Sequence, residues 1–86
     1  MFETIKRLID ETAQLATPAR EIAPGADLRR LGLTPYTAIR LMLAVERSFG
    51  VEFPRHMLNT RTMASMNAIA TAVQRLQRDY ALQRAA

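Results

Sequence analysis

Side chains able to take part in covalent or acid–base chemistry are few and scattered. His56 is the single histidine and there is no cysteine. A thiolate metal site and a disulfide framework are both excluded, and one imidazole with sparse acidic neighbours does not make a ligand set. No Ser/His/Asp-type set, no pair of carboxylates at a recognisable spacing and no glycine-rich phosphate loop is present. No catalytic residue and no metal ligand is therefore assigned, and the chain reads as a non-enzyme. What remains are hydroxyls. Ser48 and Ser65 sit singly, and Ser65, or Thr62 before it, suits a helix N-cap. Thr34 and Thr37 differ because they flank Pro35 in "LGLTPYTAIRLML", where the pattern reads as the entrance to a helix.

The elements that position this stretch follow from periodicity. Phe2, Ile5, Leu8, Ile9 and Leu15 fall on one side of a helix over about Phe2–Ala16, with Lys6, Asp10 and Gln14 opposite. "TPAREIAPGADLRRLGL" then carries two prolines and two glycines and reads as a long loop, pinned to the core by Ile22, Leu28, Leu31 and Leu33. Thr34 is a suitable N-cap, and Pro35 follows at the first helical position, where its missing N–H does no harm. From Pro35 to Phe49, residues Ala38, Leu41, Met42, Val45 and Phe49 centre an apolar face that Ile39 and Leu43 widen, predicting the most buried helix of the molecule. Gly50 stops it. Pro54 opens a minor third helix, and a last helix runs from about Met63 to beyond Tyr80 through Met66, Ile69, Ala70, Val73 and Leu76, with Leu82–Ala86 fraying.

These elements make one small all-α domain over residues 1–86, a four-helix bundle of three main helices plus the short third one. Charged residues break up the apolar positions of the N-terminal segment, so neither a signal peptide nor a membrane span is expected, and a cytoplasmic, monomeric protein is the expectation. Twelve basic residues against eight acidic ones give a net charge of +4. The arginines are spread along the chain, describing a basic surface that would attract an acidic protein, anionic lipid or nucleic acid.

The order of elements, together with "LGLTPYTAIRLMLAVERSFGVEFP", resembles the acyl carrier protein family. The likeness spans about Leu28–Leu76, and Leu41 to Leu43, Glu46, Phe49, Glu52 and Pro54 fill the family's places. "RHMLNTRTMASMNAIATAV" is similar to small stand-alone carriers, including those loaded by amino-acid:carrier-protein ligases. The resemblance implies a protein that presents thioester-bound acyl or aminoacyl groups to partner enzymes on 4'-phosphopantetheine. It also implies that the serine bearing this arm falls on Pro35, between Thr34 and Tyr36.

A proline ring has no oxygen to phosphorylate, so no cofactor is expected on the chain as written, whether the proline arose by natural loss, was introduced at the loading point or is a discrepancy in the sequence. Thr34 and Thr37 are hindered secondary alcohols, and Thr34 is better explained as a cap. The resemblance further places partner docking on Tyr36, Arg40 and Arg47. The family's docking surface is typically acidic, so these arginines imply a ligase, transferase or synthase with an acidic surface, unless they are simply solvated. Tyr36 is read either as an interface anchor or as a cover for the end of the core. Met42, Met57, Met63 and Met66 are read as core packing ahead of an adaptable cavity. The competing class is a small basic DNA-binding domain. The apolar second helix and the long loop before it argue against that class, making nucleic acid an unlikely partner.

Overall fold

The structure is a computed structural model that describes residues 1–85. It holds three α-helices: α1, Phe2–Thr12, α2, Pro35–Phe49, and α3, Met66–Ala85. Two short 3₁₀ turns, Ala19–Glu21 and Arg55–Met57, interrupt the connections, and no strand occurs among the described residues. The all-α expectation holds, and the expected minor third helix is present as a single 3₁₀ turn, Arg55–Met57. Pro54 does precede it; Asn59 then stops it. The Asn59 side-chain N–H donates to the His56 carbonyl, and its side-chain oxygen accepts from the backbone N–H groups of Arg61 and Thr62. Local bonds of this kind turn the chain where a helix would otherwise wind on.

The first helix ends at Thr12, short of the expected Ala16. The Thr12 hydroxyl donates back to the Leu8 carbonyl at 2.7 Å, and Gln14 two residues later has φ +50°. Both favour leaving the helix. Asp10, expected to face solvent, accepts from the backbone N–H of Ala19 at 3.0 Å and ties the long loop back onto α1. That loop is pinned as its sequence predicts, with Ile22, Leu28 and Leu33 buried and Leu31 half-buried. Leu28 N–H donates to Ala64 O and Asn67 N–H to Pro24 O, so the loop is also sewn to the start of α3.

The last helix begins at Met66 rather than Met63, because Ser65 Oγ accepts from the Ala68 N–H at 3.0 Å and caps it there. Its helical geometry continues through Ala85, beyond the expected fraying point; Ala86 lies outside the described residues. Met66, Ile69, Ala70, Ala72, Val73 and Leu76 are all buried, which makes α3 the helix most given over to the core. α2, expected in that role, buries only Leu41 and Val45 completely, while Ile39 and Leu43 stand in solvent. The reason is geometric. α1 packs against α2 and α3, and the turn Arg55–Met57 is too short to cover the outer flank of α2.

Candidate functional site at the entrance to the second helix

Thr34 has extended backbone (φ −96°, ψ 164°) and Pro35 is the first helical residue, so the chain turns sharply into α2 at this point. Thr34 Oγ1 accepts from the Thr37 N–H at 3.1 Å, and Thr37 Oγ1 accepts from the Thr34 N–H at 2.9 Å. The two hydroxyl oxygens lie 2.9 Å apart, and the Thr37 hydroxyl also donates to Thr34 O. This is a reciprocal capping box in which threonine replaces the usual glutamate or glutamine at the third helical position. Sequence reasoning found the cap on Thr34 but missed its partner; the T-x-x-T spacing is the signal that would have found it. Pro35 itself is exposed.

Next to Pro35, Tyr36 is 70% exposed, which removes the reading that it covers the core. The Arg40 guanidinium stands 6.0 Å from the ring centroid, at the outer reach of a cation–π contact. Arg40 and Arg47, seven residues apart, share one face of α2 and are both exposed. Among the described residues neither is paired with a carboxylate. His56 is exposed, and no group of three or more His, Asp or Glu side chains within reach of a metal occurs among the described residues.

Beside this face runs an apolar groove of 550 Å³, lined by Pro35, Ile39, Met42, Leu43, Phe53 and Leu58 among others. Ile39, Leu43 and Leu58 are 59%, 47% and 55% exposed. The groove's far end is fixed by two bonds that no sequence pattern announces. Glu46 Oε2 accepts from the Phe53 N–H at 2.7 Å, and the Tyr80 phenol oxygen accepts from the Glu52 N–H at 2.9 Å. Together with Gly50 in the left-handed conformation (φ +64°), they fold the chain back so that Phe53 lines the groove. Of the four methionines considered, Met63 and Met66 are fully buried, Met57 packs against the core, and only Met42 lines this groove.

The site is thus a capped helix entrance flanked by an uncovered apolar strip. Residues 3–73 match the family model described as the phosphopantetheine attachment site. Over 74 residues, 86% of this chain and 89% of the relative, the chain is 39% identical to an aminoacyl carrier protein of Agrobacterium fabrum. It is similar, with a TM-score of 0.84 and 39% identity over 86% of this chain and 99% of the other, to a chain in a crystal structure of an engineered Bradyrhizobium japonicum glycine:[carrier protein] ligase complexed with carrier protein from Agrobacterium tumefaciens and AMP. A solution structure from Agrobacterium tumefaciens matches over the whole of both chains with a TM-score of 0.73 and 36% identity. The chain belongs to the phosphopantetheine attachment site family, the acyl carrier proteins. Members of this family hold 4'-phosphopantetheine covalently and serve as carriers rather than enzymes.

Proposed function

We propose that this chain is a carrier protein homologue that docks onto partner enzymes without being loaded. The observation that carries this reading is Pro35, the exposed first residue of α2, at the position to which the family pattern assigns the attachment serine. An arm joined through a phosphodiester does not fit the residues present. Pro35 offers no oxygen, and the hydroxyls of Thr34 and Thr37 are occupied with each other and with the backbone at the helix start. The scaffold's other features are those of a binding surface. Tyr36, Ile39, Leu43 and Leu58 form an exposed apolar patch, which a small soluble domain rarely leaves uncovered without a partner. Arg40 and Arg47 border it, unpaired among the described residues, which suits an acidic docking surface and gives orientation and association rate more than raw affinity. The Agrobacterium relatives, an aminoacyl carrier and a carrier complexed with a glycine ligase, favour a ligase as the partner. The domain would then act as a regulatory competitor, holding an enzyme's carrier site while accepting no cargo.

The test is a calorimetric titration of a carrier-protein ligase, a phosphopantetheinyl transferase and an acyl synthase with this chain. Docking without loading predicts saturable binding to at least one of them, independent of coenzyme A and weakened by Arg40→Glu with Arg47→Glu. Binding unchanged by the double substitution would remove the arginines from the interface. No binding to any of the three, by this chain or by Pro35→Ser, would remove the docking role altogether.

A further inference from the structure

The net charge is not distributed evenly. Residues 1–33 carry five basic and five acidic side chains, whereas residues 34–86 carry seven arginines against three acidic residues. All four ion pairs among the described residues join side chains within residues 3–30: Lys6 with Glu3, Arg7 with Glu11, Arg20 with Glu21 and Arg30 with Asp27. None of Arg40, Arg47, Arg55, Arg61, Arg75, Arg78 and Arg84 is paired among the described residues. Two of these arginines share a built concavity. The segment 56–62 separates the apolar groove of α2 from a second groove of 470 Å³ on the α3 side, lined by His56, Arg61, Arg75, Asn67 and Thr71 over an apolar floor of Met57, Ala68 and Ala72. No acidic side chain lines it.

The rim of this second groove is held in place. Asn59 bonds to His56, Arg61 and Thr62, and the Thr62 hydroxyl, 8% exposed, donates to Met57 O at 2.6 Å. The backbone that carries His56 and Arg61 is thereby held in one turn by its own bonds, and Asn67, Thr71 and Arg75 follow one another at four-residue spacing along a single face of α3.

We propose that this groove is a second docking point, separate from the α2 surface, and that it takes an acidic segment of a partner protein, a short run of Asp and Glu side chains. Two unpaired guanidinium groups offer forked donors suited to carboxylates, and Asn67 and Thr71 add neutral donors between them. The apolar floor suits a polypeptide, and no aromatic side chain lines the groove to stack a nucleic-acid base. A second copy of this chain is disfavoured, since residues 34–86 would bring like charge to like charge.

The experiment is a titration of the full chain with a hexaglutamate peptide, followed by amide chemical shifts, in parallel with a twelve-nucleotide oligothymidylate and with inorganic phosphate. The expected result is saturable shifts at Arg61, Asn67, Thr71 and Arg75 with the peptide. Arg61→Ala with Arg75→Ala should weaken peptide binding about fivefold, while the charge-matched Arg40→Ala with Arg47→Ala leaves it within about twofold. Thr71→Glu, which removes no cation, should abolish it, with helicity by circular dichroism showing the fold intact. Equal weakening by the two arginine pairs would overturn the proposal in favour of attraction to net charge alone. Tighter binding of the oligothymidylate at the same amides would overturn it in favour of nucleic acid, and phosphate matching the peptide would reduce it to a simple anion site. These readouts use no carrier enzyme, so they stand or fall independently of the α2 docking role.

Discussion

Proline at the first turn of a helix is well tolerated, because the N–H it lacks would have no partner inside the helix and its fixed φ already suits it. Pro35 therefore leaves the start of α2 undisturbed, so the loss of an attachment alcohol proposed for this position would cost the reaction without costing the scaffold. The burden of starting the helix falls on Thr34 and Thr37, whose four mutual contacts satisfy both backbone N–H groups. Thr34→Ala should cost about 1–2 kcal/mol in urea unfolding, since it removes the cap and one partner of the Thr37 hydroxyl; a loss under about 0.3 kcal/mol would show that the box contributes little in solution. Thr34 was legible in the sequence because Thr-Pro before an amphipathic run is a local code. Thr37 was not, because a hydroxyl stands where the pattern usually has a longer side chain.

The same contrast governs whole elements. Both ends of α2 lie where the sequence puts them, Pro35 and Phe49, because Thr34–Pro35 and Gly50 encode them on the spot. The ends of α1 and α3 were misjudged by a few residues. For α1 the limit depends on a bond that periodicity does not report, Thr12 to Leu8; for α3 the Ser65 cap was legible as a residue type, but periodicity through Met63 ran past it. Periodicity also names the residues that share a face without saying whether anything lies over it. Leu41 and Leu43 were placed together on an apolar helix, yet Leu41 is completely buried and Leu43 is 47% exposed. Leu41→Ala should thus lower stability by about 2–5 kcal/mol. Leu43→Ala should change it by under about 1 kcal/mol and instead weaken partner binding. Equal losses from the two in thermal unfolding would mean that the groove is closed in solution.

Across the molecule, a core this small leaves a stability of about 5–15 kcal/mol at most, so the fold depends on all three helices and the pinned loop together, with Leu41 and Val45 of α2 completely buried. α2 packs one flank against α1 and leaves Ile39 and Leu43 exposed on the other. The family resemblance and the all-α class were legible because they rest on residue types along contiguous stretches. The pairing of Tyr80 with Glu52, 28 residues apart, and the concentration of unpaired arginine on residues 34–86 needed the fold. The most direct measurement is the intact mass of this chain and of Pro35→Ser, each incubated with coenzyme A and a broad-specificity phosphopantetheinyl transferase. The account predicts that only the serine variant gains the mass of the arm. Modification of the unaltered chain would contradict it, and would place the tether on a threonine that the structure shows engaged in holding the helix start.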